Sequence, residues 1–496
     1  YEESKSILND LISDSDVQPE QFHQAAYACV RMNDFRLAIN ALEKALEIEK
    51  LFKPVYLLDL ASAYLLVEQP KKALALLNVD QDYLRKYPQI SLMKSDILSN
   101  LGQYQLAYKT LRAFKEYAPE VLNQESVLNA EKNLSPLLYT KDFSFTGYLY
   151  RMGQLNRVLG DFDSAKTYLL QAAGLTPDDD EIKCAKFDSF IQTFDHKGIE
   201  EEFNVITDNE FEKGALNVDY LDFVCTQAEW LISQCRREDA ETLINKLSPA
   251  NRSYPRYLAI QSRLSAINGD FETAENYYHE ANEVYQNTLA DLQSKDLQIL
   301  FRKLRNLTSI ADAAREQDQK SAAVEIHETA WRMLDNQPFN NWLFAESLID
   351  AAEDQQKART LSIVNHSPGE SILSENFKNI SQLLLENLKK YLPNDEYLCC
   401  EARMSAAFSG TWPMNLNPDF CLVSPKKAAS VVLFSKDESL VKNILNTFPN
   451  QPDVLQAYGI YALKNGKPKA GKYVAKALEF DTSNPINHAL LALLQK

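Results

Sequence analysis

Along residues 25–48, AAYACVRMNDFRLAINALEKALEI, apolar side chains return every three or four positions, pause at a short polar stretch, and resume with the same spacing. That rhythm predicts two amphipathic helices joined by a tight turn. The unit recurs in LASAYLLVEQPKKALALLN (60–78) and in KSDILSNLGQYQLAYKTLRAFKEYAP (94–119). An alanine stands just past each turn, at Ala38, Ala73 and Ala107, so the unit returns with a period of roughly 35 residues. Further units carry Ala165 (150–177), Ala240, Ala274, Ala323 and Ala358. Ala240 and Ala274 stand one such period apart, and so do Ala323 and Ala358. About nine units cover roughly two thirds of the chain. One hairpin cannot bury its own apolar face, so a period of this length predicts stacked helix pairs sharing a core.

The breaks in the period divide the chain. The interval from Ala107 to Ala165 exceeds one period, and PEVLNQESVLNAEKNLSPLLYTKDF (119–143) fills the excess as an extra helix or a break between arrays. The interval from Ala165 to Ala240 leaves room for a degenerate unit containing FDHKGIEEEFNVI. The interval from Ala274 to Ala323 is also longer than one period, which suggests longer helices. Between 365 and 430 the pattern weakens. LSENFKNISQLLLENLKKYLP predicts an amphipathic helix and EYLCCEARMSAAF another. SGTWPMNLNPDFCLVSPK (409–426), with three prolines and no periodicity, reads as a long loop. The expected organisation is an array over 1–119, an insert at 120–145, a second array over 146–364, degenerate helices with the loop over 365–430, and final repeats over 431–496. INHALLALLQK reads as the start of another helix, so the array is expected to continue past residue 496.

These units resemble the tetratricopeptide repeat. Gly153, Gly160, Asp161, Phe162, Ala165, Ala172 and Pro177 match that pattern, as do Gly269, Asp270, Phe271, Ala274 and Ala281. Asn33, Asp34, Phe35, Ala38 and Ala45 match as well, and so do Gly102, Tyr104, Ala107 and Pro119. The first-helix Trp of the family is mostly absent, with Trp342 standing near such a place. The resemblance implies an all-α fold, an α-solenoid of antiparallel helix pairs wound as a right-handed superhelix.

It also implies a peptide-binding inner groove lined by exposed first-helix positions. On this register the lining includes His23, Tyr27, Leu58, Ser62, Leu92, Asp96, Tyr150, Gln154 and Arg157, then Arg256, Arg263, Arg305, Asp312, Trp342 and Leu343. The Lys, Asn and Arg clamp that chaperone-binding relatives use for a C-terminal carboxylate is absent from the matching early positions. Arg157, Arg256, Arg263 and Arg305 either form a basic stretch suited to an acidic segment or simply solubilise the face. In the loop, Trp412 and Phe420 either anchor a partner or fold back over the solenoid.

Composition narrows the function. The chain has 496 residues, 45% hydrophobic, and a net charge of −17. That balance repels phosphate backbones and anionic lipid, so nucleic acid is not an expected partner. There is no run of 18 apolar residues and therefore no expected membrane span. Seven irregularly spaced cysteines without C-x-x-C predict free, buried thiols and no zinc site, with Cys399 and Cys400 as core residues.

Gly466, Gly471 and Lys472 reproduce the spacing of a P-loop, yet a helical pattern precedes them and Tyr473 follows the Lys. They are expected in a hairpin turn and its second helix. PDDDEI (177–182) lacks the spacing of a calcium loop and reads as a helix cap. No catalytic or cofactor motif appears, so no enzyme activity and no cofactor are expected. The expected function is a non-catalytic scaffold binding a protein or peptide segment in the groove. The alternatives are the regulatory arm of a larger enzyme, such as a protease or kinase carried on the same chain, and an envelope scaffold for polysaccharide export. The expected location is cytoplasmic, with the envelope left open because the chain does not begin with Met.

Overall fold

The computed structural model describes residues 2–13, 16–49, 54–113, 115, 138, 144–203, 217–290, 296–361, 372–467, 470–480 and 485–494. Among them are 26 α-helices and no strand. Most of the insert expected at 120–145 lies outside the described residues, as do 204–216 and 362–371. The contacts divide the chain into two compact units, Tyr1–Lys186 with Gln293–Leu300, and Phe187–Leu292 with Phe301–Lys496.

The first unit is built of antiparallel pairs. Pro19–Arg31 packs on Phe35–Ile48, Pro54–Leu66 on Pro70–Leu76, Gln89–Asn100 on Tyr104–Arg112, and Phe145–Val158 on Phe162–Leu175. Second helices bury one narrow stripe of small residues: Ala38, Ala41, Leu42 and Ala45 in one, Ala165, Leu169 and Ala172 in another. First helices touch neighbours on several sides and are buried nearly all round. Pro54–Leu66 hides every residue from Pro54 to Tyr64, which its continuous apolar run requires.

The hairpin around residue 160 shows how closely the sequence sets the geometry. Gly160 takes φ +79° in the turn, and the Asp161 carboxylate accepts from the Ser164 amide at 3.2 Å to cap the next helix. Gly153 then lets the two helices touch. A Cβ there would stand 2.6 Å from Leu169 Cγ.

The second unit continues the scheme. Val218–Ser233 pairs with Arg237–Asn245, and Pro255–Ile267 with Phe271–Tyr285. The degenerate unit is a hairpin of Asp180–Gln192 and His196–Phe203, in which a Cβ on Gly198 would meet the Phe190 ring at 2.8 Å. Asp179 caps the first of these helices, its carboxylate accepting from the Ile182 amide at 3.0 Å, so PDDDEI is a helix start. The longer spacing before Ala323 is taken up by a π-helical turn, Gln286–Ala290, and by the 20-residue helix Leu297–Glu316.

Further on, Pro425–Phe434 packs on Pro452–Lys464, which in turn packs on Gly471–Leu478. The P-loop-like residues fall in that last hairpin. Gly466 turns at φ +63° and Gly471 opens the second helix.

Two expectations are corrected. Ala358 does not follow a turn, because Pro338–Thr360 is one helix of 23 residues and the next begins at Glu375. The polar stretch EDQQK contains no glycine, proline or asparagine, and nothing in it stops a helix. The cysteines are not all free thiols either. The 3-10 turn Pro418–Cys421 brings Cys421 beside the helix Asn394–Ser409, where it forms a disulfide with Cys399 at a Cα separation of 5.3 Å. Cys29, Cys184, Cys225, Cys235 and Cys400 remain as thiols.

Candidate functional site

In the first unit, first helices and neighbouring chain enclose a cavity of about 300 Å³. The helix Gln89–Asn100 contributes Ser95, Asp96 and Ser99, and Phe145–Val158 contributes Tyr150, Arg151 and Gln154. Asp179, Glu181 and Asp296 complete its polar wall, while Leu155, Ile182 and Leu297 supply apolar surface. Three of the sequence-chosen residues, Asp96, Tyr150 and Gln154, thus meet at one site.

Arg151 and Asp96 form a bidentate pair, Nε to Oδ1 at 2.8 Å and Nη2 to Oδ2 at 3.0 Å. The Gln154 amide donates to the Tyr150 hydroxyl, and its Oε1 accepts from Arg157 Nη1 at 2.6 Å. Burial, reinforced by the Glu181 carboxylate hydrogen-bonded to it, pushes the Tyr150 phenol well above its usual pKa. That phenol is therefore protonated. The wall holds four carboxylates and one guanidinium, so it is net negative.

The arginines of the second unit have a different setting. Arg256 is 1% exposed and donates to Asp222 Oδ1 at 2.9 Å and to Glu229 Oε2 at 2.6 Å. Arg305 reaches Asp222 Oδ2 at 2.9 Å and Asp188 Oδ2 at 3.4 Å. Arg263 pairs with Asp312 at 3.3 Å and lies 3.9 Å from Glu316.

All three line one cavity of about 30 Å³, together with Asp188, Glu229 and Asp312. Such a space admits about one or two waters. What the sequence offered as a basic stretch is a balanced internal network, and the expected acidic segment finds no support in it. Helical spacing brings out the arginines but not the carboxylates that neighbouring helices bring to them. An available signal was the pair of carboxylates Asp222 and Glu229, seven residues apart on the buried helix VDYLDFVCTQAEWLIS.

Arg157 belongs to the first unit, is fully buried, and holds Gln154. Trp342 is half-buried against Phe339 and Phe194, with ring centroids 5.6 and 6.2 Å away. Trp412 and Phe420 pack on the core cluster that includes Cys399 and Cys421, and the Trp412 indole donates to the Leu416 carbonyl at 3.2 Å. The loop thus folds back on its own unit. Among the described residues no group of histidines, cysteines and carboxylates is arranged to hold a metal, and no helix is long and apolar enough to cross a membrane.

The tetratricopeptide repeat model matches residues 22–50 and 146–179. No curated protein matches the chain. Among solved structures, it is similar to a tetratricopeptide repeat protein from Parabacteroides merdae, with 14% identity over 58% of this chain and 98% of that one and a TM-score of 0.37. The Cut9–Hcn1 hetero-tetramer of the APC/C aligns at 13% identity over 97% of each chain, TM-score 0.31. Yeast Tom70 aligns at 12% over 96% of this chain and 95% of its own, TM-score 0.28. Both matched segments fold as helix hairpins around fully buried Ala38 and Ala165, the arrangement of a tetratricopeptide repeat.

Proposed function

We propose that the chain is a non-catalytic interaction scaffold that holds a segment of a partner protein on the first-helix face of its first unit. The observation that carries this reading is the cavity of about 300 Å³ walled by Tyr150, Gln154, Asp96 and their neighbours. Its polar groups converge without a nucleophile–base pair, which suits recognition better than bond-making. Rigid stacked hairpins hold that surface ready-made, so a segment binds without the scaffold having to order itself.

The test places a photo-crosslinking residue at position 150 in one protein and at position 170 in another. Leu170 is 45% exposed on the second helix of the same hairpin and serves as the control. The expected result is a recurrent protein adduct from position 150 and none from position 170. Adducts from 170 alone, or from neither, would overturn the reading.

A further inference from the structure

From Pro452 to Leu478, the hairpin that contains the P-loop-like residues carries five lysines and one carboxylate, Asp453. A chain of net charge −17 therefore turns basic over this hairpin. The fold sets the lysines beside aromatic rings. Tyr458 and Tyr461 share a face of the first helix, with ring centroids 6.1 Å apart, and Tyr473 of the second helix meets Tyr458 edge-on at 4.9 Å. Lys467 lies over the Tyr461 ring at 5.5 Å, and Lys472 over the Tyr473 ring at 4.8 Å. The result is a continuous row of cation, three rings and cation, in which Tyr458 and Tyr473 are only half-buried. One turn beyond Tyr461, the Lys464 ammonium stands 5.8 Å from the Phe434 ring centroid, where loss of water lowers its pKa.

The charges at this edge are not balanced. Glu438 is shared by Lys442 at 2.8 Å and Lys467 at 2.7 Å, two cations on one carboxylate. Lys464 and Lys472 have no carboxylate partner among the described residues; each has an aromatic ring instead. The interior of the same unit is the opposite case, where Arg256 and Arg305 each meet two carboxylates. Lysines that serve only solubility need no rings among them. A bare anion would answer the ammoniums and leave the tyrosine faces uncovered. Nucleic acid would be repelled by the acidic body around the patch. A peptide carrying both carboxylates and apolar side chains answers both features.

Independently of the first-unit cavity, we propose that this row is a second docking surface, which receives an acidic segment of a partner protein. Its carboxylates face Lys464 and Lys472, and its apolar side chains lie on the Tyr458 and Tyr473 rings. The P-loop-like spacing of Gly466, Gly471 and Lys472 is thus part of a protein-binding edge rather than a nucleotide cradle.

The test is calorimetric titration of the full chain with a short peptide alternating glutamate and leucine. A glutamine–leucine peptide lacks the charge, a glutamate–serine peptide lacks the apolar side chains, and a single-stranded oligonucleotide supplies charge of another kind. The glutamate–leucine peptide is expected to bind about tenfold tighter than either other peptide, with its advantage over glutamine–leucine shrinking as salt is added. The double change Lys464→Gln and Lys472→Gln is expected to remove most of that advantage with the helical circular dichroism unchanged. Lys389→Gln, at an exposed lysine elsewhere in the unit, and Asp296→Asn, in the first-unit cavity, are expected to leave it intact.

Equal binding of the glutamate–leucine and glutamine–leucine peptides, or binding of neither, would overturn the proposal. Glutamate–serine binding as tightly as glutamate–leucine would overturn it by leaving the tyrosines without a part. An oligonucleotide binding as tightly would overturn it by making the edge a surface for any polyanion. A preference lost in Asp296→Asn but kept in the double lysine variant would move the peptide to the cavity. Failure of crosslinking from position 150 counts against the first-unit reading alone and leaves this surface standing.

Discussion

At Asp222 four donors converge on one fully buried carboxylate: Arg256, Arg305 and Tyr254 at 2.9, 2.9 and 2.5 Å, and Arg302 at 3.4 Å. Burial alone would raise its pKa, but the guanidiniums of Arg305 and Arg256 outweigh that and hold it well below the usual range. Asp222→Asn keeps the shape and removes the charge, leaving Arg256, Arg302 and Arg305 one counterion short. The expected loss is about 3–5 kcal/mol in urea unfolding. A loss under about 1 kcal/mol would contradict the geometry.

The pH dependence has a definite sign. A depressed folded-state pKa gives stability that is present above the unfolded value of about 3.9 and is lost as pH falls through the folded value. The wild-type protein should therefore lose stability steeply below about pH 4, and Asp222→Asn less steeply. The slope does not vanish in the variant, because neighbouring guanidiniums depress Asp312 against its burial, and Lys426 with Arg315 does the same to Asp350.

At the scale of the helix pair, two glycines in one hairpin have separate jobs. Gly160→Ala puts a Cβ on a residue at φ +79° and should cost about 1 kcal/mol. Gly153→Ala drives a methyl into Leu169 and should cost about 1–3 kcal/mol despite alanine's better helix propensity. Thermal melts of the two variants check both values, and a neutral Gly153→Ala would show that the helices can separate at no cost.

Hairpins of this kind were legible in the sequence wherever a polar turn is followed by evenly spaced small residues. Ala38, Ala107, Ala165 and Ala274 are all fully buried, as their spacing implies. Legibility fell in the degenerate unit, where Phe194 takes the left-handed conformation in the turn at φ 52° and offers no turn signal of its own. It failed at Ala358, where the period continues but the helix does not break. The pairing of Cys399 with Cys421 and the carboxylate partners of the arginines were not legible at all. Periodicity describes one helix against its neighbour and says nothing about which charges meet across the stack.

Over the whole molecule, the net charge of −17 has the same sign as the lining of the first-unit cavity, where Asp96, Asp179, Glu181 and Asp296 outnumber Arg151. The contribution of the sequence to the candidate site was partial in the same way. It placed Tyr150, Gln154 and Asp96 on one face, but the carboxylates at 179, 181 and 296 come from segments that only the fold brings together.

The central claim is that the first-helix face of that unit is where a partner sits, and hydroxyl-radical footprinting with and without the crosslinked partner protein tests it most directly. Tyr150 and Leu297, half-buried at the cavity, should become protected. Leu106 and Leu170, exposed on second helices of the same unit, should keep their reactivity. Protection of Leu106 and Leu170 with Tyr150 unchanged would contradict it.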